Sequence, residues 1–386
     1  MLQTLALALY LATGVGLAAL ALQLAAAARH RRRAPARAPR DTPGISILKP
    51  LCGADDRLAE NLEAYASLAY PRYELILGIE HAGDPALAVA AALRRRHPDR
   101  VRIVLQRSAP GLNPKVNQLL GVAAAARHPI LLVSDSNIQP PPGYLEEIAA
   151  GLADPTVGLV THAIVGGAER SLGSILDGLY LACQAAPGVI AAQTVAGRDI
   201  VVGKSMALRA ADLARLGGFD AVKDVLAEDY VLGRMVSEEL GTRVLIGRSP
   251  VVQITEGKSV AEFLRRALRW AVIHKHAVPP AVYAGVLLLH PLALLVPAVL
   301  LEPSWAAAVL AACRLGLDAA TARITRGAPL SWRALLALPL RDPLHAAVWL
   351  RALFTSHVVW RGKRLRVATG TRLERPEPEI VYSAVA

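Results

Sequence analysis

Arg266, Arg269 and Trp270 stand at positions i, i+3 and i+4 of the stretch EFLRRALRWAVIHKH (262–276), just before the chain turns continuously apolar. On a helix these three side chains share one face. Two guanidinium groups and an indole aimed into one space suit a diphosphate leaving group beside an amphipathic acceptor. Guanidinium stays charged and grips phosphate oxygens as a bidentate fork, whereas indole offers a flat apolar surface with one donor. The same residues also suit a juxtamembrane helix whose arginines meet lipid headgroups and whose Trp joins an interfacial belt. Three more polar points precede them: Asp84 in a GDP turn, the triplet Asp135-Ser136-Asn137, and the pair Glu228-Asp229. Asp84 has the ordinary place of a turn or capping residue. Asp135 directly follows the apolar run ILLVS, where a carboxylate would meet a nucleotide or its metal, and Glu228-Asp229 would equally stabilise a helix N-terminus.

Something must position these groups. ISILKPL (45–51), ELILGIE (74–80), RVRIVLQ around 101–106 and ILLVSDS (130–136) are brief apolar runs that predict strands. Between them, 55–68, 85–97 and 114–127 have the length and Ala/Leu/Arg content of helices. This alternation predicts an α/β fold, a mainly parallel sheet flanked by helices, with ligands at the carboxyl ends of its strands. His81, Asp84, Ser134, Asp135, Ser136 and Asn137 all fall just past predicted strand ends. Neither GxGxxG nor GxxxxGK[ST] occurs, which argues against a dinucleotide fingerprint or a P-loop. Further on, RDIVVGKSMAL (198–208) reads as a strand, LAEDYVLG (226–233) as an acidic helix start and TRVLIGRSP as another strand.

The rest of the chain belongs to a membrane. The 386 residues are 54% hydrophobic, with mean hydropathy +0.37, too apolar for an ordinary soluble enzyme. Residues 1–28 form an uncharged run long enough to span a bilayer, followed at once by Arg29, Arg31, Arg32, Arg33, Arg37 and Arg40. Charge after the apolar run favours a retained anchor over a cleaved signal, and the positive-inside rule places the N-terminus outside and the polar middle in the cytoplasm. The formal charge of +12 gathers there and at Arg361, Lys363, Arg364 and Arg366, beside apolar segments. It points to anionic headgroups. With only 4% aromatic residues the chain lacks the stacking platforms of nucleic-acid binders. Cys52, Cys183 and Cys313 match no metal or redox spacing. The expected organisation is an anchor (1–28), a basic Pro-rich linker (29–44), a cytosolic catalytic domain (45–276), C-terminal membrane segments (277–360) and a basic cytosolic tail (361–386). Within the membrane segments, 277–301 spans, 304–320 spans with Arg314 and Asp318 turned toward protein or interface, and 334–360, broken by Arg341, Asp342 and Pro343, forms a re-entrant or interfacial hairpin.

The ordered set Asp84, Asp135-Ser136-Asn137, Ala227-Glu228-Asp229-Tyr230 and Arg266-x-x-Arg269-Trp270 resembles the D1, D2, D3 and (Q/R)xxRW signature of ceramide glucosyltransferases, glycosyltransferase family 21. ISILKPLCG, NPKVNQL (113–119), VGLV (157–160), GKSMALR (203–209) and WRGKRLRV (360–367) resemble the same family. The resemblance implies a GT-A nucleotide-sugar fold with N- and C-terminal membrane helices, and transfer of a hexose, usually glucose, from a UDP-sugar to a membrane lipid hydroxyl such as ceramide. It implies Asp229 as general base, with Arg266, Arg269 and Trp270 beside it. Lys49, Asp84, Lys115, Asp135 and Asn137 would bind the donor, and Asp135 would also hold Mg²⁺ or Mn²⁺.

The residue types fit that chemistry independently. Expelling UDP from an anomeric carbon needs cations at the diphosphate, a base for the acceptor and a water-poor site. One base without a carboxylate nucleophile predicts a single inverting displacement. The chain departs from the DxD pattern of many GT-A enzymes by placing Asn137 where the last carboxylate would stand. A hopanoid (N-acetylglucosaminyl) glycosyltransferase is the neighbouring enzyme reading, and a catalytically silent membrane binding protein the non-enzyme one. A processive polysaccharide synthase would need more spans than this chain offers. Ala- and Arg-rich usage suggests a bacterial inner membrane.

Overall fold

The uncharged N-terminal run forms one helix, α1 (Leu2–Arg31), in the computed structural model, which describes residues 1–34, 42–360 and 363–375. Arg37, Arg40 and Arg361 of the basic clusters, most of the Pro-rich linker and the tail beyond 375 lie outside the described residues. The end of α1 is pinned to the polar middle of the chain. His30 Nε2 lies 2.9 Å from the Gly247 carbonyl, and Arg31 donates to the Arg248 carbonyl at 3.1 Å.

The expected strands form. β1 (Ile45–Pro50), β2 (Tyr73–Ile79), β3 (Val101–Leu105) and β4 (Ile130–Val133) pair in parallel in the order β3-β2-β1-β4. Every residue of β1, β2 and β4 is buried, as a sheet covered on both faces requires. The covering helices of this half are α2 (Leu58–Ala66), α3 (Ala86–Arg96) and α4 (Pro114–Ala124). Asn113 fixes the start of α4 by accepting from the amides of Lys115 and Val116, with Pro114 supplying no orphan donor.

Beyond β4 the sheet becomes mixed. β5 (Ile138–Gln139), β6 (Val157–Gly167), β7 (Met206–Arg209) and β8 (Arg243–Ile254) complete the order β3-β2-β1-β4-β7-β6-β8-β5, in which β7 runs antiparallel to both neighbours and β6 and β8 are parallel. The long strand expected over 198–208 is confined to Met206–Arg209. Upstream of it the backbone amides of Val202 and Gly203 bond to Thr161 Oγ1 and to Asp229 Oδ2. Side chains have claimed the donors a ladder would need, so this stretch is irregular. Helices α5 (Tyr144–Ala153), α6 (Leu172–Tyr180), α7 (Ala186–Ala196), α8 (Ala210–Arg215) and α9 (Glu228–Glu238) connect these strands. A π turn, Leu181–Ala185, joins α6 to α7 where Pro187 cannot donate to the preceding turn.

The helical remainder begins with α10 (Val260–Ala277), started by a capping box between Ser259 and Glu262. The apolar run expected as one span over 277–301 is α11 (Pro280–Gly285), a 3₁₀ turn and α12 (Pro291–Leu301), with a bend of 72°. Pro291 lacks the N–H a continuous helix would need there. Then come α13 (Trp305–Arg326) and α14 (Trp332–Leu353). The hairpin expected in 334–360 does not form, because α14 runs unbroken through Pro339, Arg341, Asp342 and Pro343.

The reason is charge compensation. Arg314 and Asp318 of α13 meet Arg341 and Asp342 of α14, with Arg314–Asp342 at 2.9 Å, Arg314–Asp318 at 2.6 Å, Arg341–Asp318 at 2.9 Å and Arg341–Asp342 at 3.0 Å. All four are at most 2% exposed. Two cations and two anions form a neutral quartet, so neither helix must end to hydrate them. Among the described residues, three helical stretches, Leu2–Arg31, Leu172–Ala196 and Trp305–Arg326, are long and apolar enough to cross a membrane, or four if the bent pair is one span. After α14, part of the expected basic tail folds into a small antiparallel sheet, β9 (His357–Trp360), β10 (Lys363–Val367) and β11 (Leu373–Glu374). It reaches back to the catalytic domain, where Leu226 donates to the Thr371 carbonyl at 2.8 Å and Leu373 to the Asp224 carbonyl at 2.7 Å.

Candidate functional site

Ser134 and Asp135 directly follow β4, at the carboxyl edge where a parallel strand delivers its next side chain to a ligand. Asp135 is gripped by two ammonium groups, Lys115 Nζ at 3.1 Å from Oδ1 and Lys204 Nζ at 2.7 Å from Oδ2. Burial alone would raise its pKa, but these lysines overcome that effect and hold the carboxyl well below the usual range. Lys204 also donates to Asn137 Oδ1 at 3.3 Å, and Lys115 pairs with Glu228 at 3.0 Å. Burial would likewise neutralise Lys115. Asp135, Glu228 and Asp229 outweigh it and raise its pKa. For Lys204 burial wins, and its pKa falls.

Lys49 is fully buried beneath this cluster. Its Nζ donates to the Asp135 carbonyl at 2.7 Å and to Ser134 Oγ at 3.2 Å, and lies 3.6 Å from the centre of the Tyr65 ring. Burial pushes its pKa well down. It holds the Asp135 turn from below. Asp84 also turns away from the cluster, since its oxygens accept from the amides of Gly53 at 3.0 Å and Ala86 at 2.8 Å. It clasps the loop after β1 to the first turn of α3. Gly53 sits at φ +69°, a conformation that favours glycine.

Asp229 occupies the first turn of α9. It accepts from Gly203 N at 2.6 Å and from Tyr230 N at 2.8 Å. Burial, then the neighbouring Glu228 carboxylate, push its pKa up to about 6 against the pull of Lys115 and the two amides. Gly203 has to be glycine here, because a Cβ at that position would lie 2.7 Å from Asp229 Oδ2. A carboxylate poised near neutral pH is a competent proton acceptor.

Across the space, α10 presents Arg266, Arg269 and Trp270 as its periodicity predicts. Arg266 pairs with Asp177 of α6, donates to Gln253 Oε1 at 3.3 Å and stacks over Trp270 with 4.6 Å to the ring centre. Trp270 meets Tyr180 edge to face at 5.7 Å, and Arg269 lies 5.8 Å from the centre of the Trp360 ring on β9. Asp177 is itself 2% exposed and also binds Lys258 at 2.7 Å. It fixes the Arg266 fork in place.

Lys115, Asp135, Asn137, Asp229, Arg266, Arg269 and Trp270 all line one cavity of about 1070 Å³. Lys49 and Asp84 do not line it and act from behind. The cavity continues between α10, α11 and α14, where its wall is Val278, Tyr283, Val348 and Trp349. Tyr283 and Trp349 stack at 5.5 Å and exchange hydrogen bonds with each other's carbonyls at 3.1 and 2.9 Å. His274, facing Tyr283 at 5.9 Å, is held to a low pKa by burial.

Sequence reasoning passed over Lys204 and Asp177. Lys204 lies in the quoted phrase GKSMALR, and its position just before a strand was the available signal. Asp177 is a lone carboxylate in the apolar run 172–196, a pattern that itself demands a buried cation. Among the described residues no group of three or more His, Cys, Asp or Glu side chains is arranged to hold a metal alone. Asp135 and Asn137 nevertheless offer oxygen donors to a single point, marked by the Lys204 ammonium between them. That donor set fits a hard divalent cation completed by substrate phosphates.

Comparison with known proteins identifies the family and the fold. The model of glycosyl transferase family 21 matches residues 8–373. Ceramide glucosyltransferase 3 of Caenorhabditis elegans is 28% identical over 241 residues, 61% of this chain and 52% of that protein. The ceramide glucosyltransferase of Komagataella phaffii is 25% identical over 296 residues, 62% of this chain and 58% of its own. The chain thus spans about half the length of the curated relatives it matches. A solved mannosyltransferase, PcManGT from Pyrobaculum calidifontis in complex with GDP-Man and Mn²⁺, superposes with TM-score 0.57 at 20% identity, over 92% of this chain and 99% of that one. This likeness shows the fold, a GT-A domain with appended apolar helices.

Proposed function

The chain belongs to glycosyl transferase family 21, and from that premise we propose that it moves a hexose, glucose first among them, from a UDP-sugar to the primary hydroxyl of a membrane lipid, with ceramide the leading acceptor. The observation that carries this reading is the single cavity, cationic at Lys115 and Lys204, acidic at Asp229 and aromatic at Tyr283 and Trp349. A polar donor and an amphipathic acceptor can meet there without either crossing solvent.

In this reading the donor diphosphate lies among Lys115, Lys204 and Arg269, with Arg266 held square to it by Asp177. A Mg²⁺ or Mn²⁺ shared with the donor phosphates would be held by Asp135 and Asn137 and would supply further positive charge to the departing diphosphate. Asp229 takes the proton of the acceptor hydroxyl as that oxygen bonds to the anomeric carbon, while the bond from that carbon to UDP breaks on the opposite side. The sugar inverts. Trp270 closes the site against water, which strengthens each charge interaction within it. His30 and Arg31 hold the end of α1 against β8, and the basic residues that follow the apolar run place the catalytic domain, in this reading, on the cytoplasmic side of a bacterial inner membrane with the N-terminus outside.

The test is an assay of the purified full chain in detergent with UDP-glucose, UDP-galactose and UDP-N-acetylglucosamine against ceramide and a hopanoid alcohol, with and without EDTA. Glucosylated ceramide, lost on chelation, is the expected result. Activity on the hopanoid alone would replace the acceptor, and UDP binding without turnover on any pair would refute the enzymatic reading.

A further inference from the structure

Three side chains that line the cavity, His345, Gln184 and His290, each hold a buried polar atom without a hydrogen-bond partner among the described residues, and none takes part in the transfer described above. His290 Nδ1 lies 3.9 Å from Asp342 Oδ1, which leaves His345 and Gln184 as the two bare acceptors. His345 of α14 is 7% exposed and lines the cavity. Its Nδ1 lies 2.9 Å from the Arg341 carbonyl one helical turn earlier, and its Nε2 has no partner among the described residues. A carbonyl can only accept, so Nδ1 carries the proton and Nε2 presents a bare lone pair. The ring cannot turn away. It is stacked on Tyr180 at 4.7 Å and on His290 at 5.5 Å, with Phe263 edge-on at 5.4 Å. Gln184, on the π turn that follows Tyr180, lines the same cavity, and its Oε1 is likewise buried without a partner.

We propose that His345 and Gln184 form the polar rest for the acceptor's head, and that they select lipids bearing a further O–H or N–H donor beside the hydroxyl that receives the sugar. The proposal rests on the lipid-acceptor reading above. Buried acceptors left bare are costly, so a lipid that satisfies them gains affinity and one that cannot is rejected. The placement suits this task. Tyr180 bridges His345 to Trp270, which puts the rest next to the sugar-transfer end, whereas the tails would run along Tyr283 and Trp349. A sterol-like alcohol with one hydroxyl would leave both acceptors unsatisfied. An N-acylated amino-diol would satisfy them.

The experiment measures binding by quenching of tryptophan fluorescence in the full chain in detergent, with bromine-labelled ceramide and its analogue methylated at both the amide nitrogen and the secondary hydroxyl, alongside turnover with UDP-glucose. The wild type is expected to bind ceramide about a hundredfold more tightly than the methylated analogue, about tenfold for each of the two buried acceptors left unpaired. His345→Phe, which keeps the ring stack, should narrow the discrimination to about tenfold while its affinity for UDP stays unchanged. Gln184→Leu tests the second acceptor without touching the stack, should the first variant not fold. Equal binding of both lipids by the wild type overturns the proposal, as does a His345→Phe loss shared equally by the two lipids. Preserved lipid discrimination with no sugar transfer would instead overturn the proposed enzymatic function and leave the lipid site standing.

Discussion

Replacing Asp229 by Asn should make the protein inactive and remove a pH-dependent strain from its fold. In the folded state the Asp229 carboxyl is raised from 3.8 to about 6, chiefly by burial and by Glu228. A folded pKa above the unfolded one means that the native state binds the proton more tightly, so this group's contribution is fully present below pH 3.8 and is lost as pH rises through 6. That lift, at about 1.4 kcal/mol per unit, sets an upper limit of about 3 kcal/mol on the strain of the ionised carboxylate, of which relaxation leaves about 1–2 kcal/mol. Asn removes the charge beside Glu228 but keeps only one of the two oxygens that receive the Gly203 and Tyr230 amides, and turns an NH2 toward the other amide, a cost that does not vary with pH. Melting in detergent should therefore show the stability of D229N relative to the wild type improving by about 1–2 kcal/mol between pH 4 and pH 8. Transfer should fall by about a thousandfold or more, the usual scale for loss of a general base, while UDP-sugar binding by titration stays nearly intact. The wild-type kcat/KM should rise with pH with a midpoint near 6. A flat profile from pH 5 to 8, or a stability difference between D229N and the wild type that does not change with pH, would refute the assignment of Asp229 as the base. Loss of donor binding would move it to the donor site.

Arg314→Leu should destabilise the helical region by about 3–5 kcal/mol, because Asp318 and Asp342 are left with one cation between them in a buried setting. Arg314→Leu with Asp318→Leu restores neutrality and should recover most of the melting temperature, so absence of recovery would mean the quartet is not the source. Truncation before His357 should abolish transfer while leaving membrane insertion unchanged, since the 224–226 segment loses its backbone bonds to Thr371 and Leu373. Limited proteolysis should then cut near 224–229, and retained turnover would refute the role given to the small sheet.

Much of the catalytic half was legible because its signals are local. Short fully apolar runs announced the strands, and the residue after ILLVS had to emerge at a strand end. The i, i+3, i+4 spacing of Arg266, Arg269 and Trp270 announced a shared face. The failures came where partners are remote in sequence. Arg341 and Asp342 looked like a helix breaker because Arg314 and Asp318, which neutralise them, sit on another helix. The stretch 198–205 looked like a strand because nothing in it shows that Thr161 and Asp229 take its amides. Lys49 and Asp84 were read as donor contacts on the strength of position and resemblance, yet their polar atoms point into the scaffold under the site. No local pattern marks His345 as an acceptor, since its tautomer depends on the turn before it.

The closing of the 224–226 segment by Thr371 and Leu373 also imposes an order on biogenesis. The sheet that carries Asp135 can form early, but the loop leading into Asp229 acquires its last backbone partners only after α11 through α14 have been made and threaded. Such a long-range contact forms late, after the costly loop closures before it. A nascent chain would thus bear the donor-binding face before it bears a properly seated base. On the proposed function, it would gain the power to transfer sugar only once its helical segments are in place beside the proposed lipid acceptor.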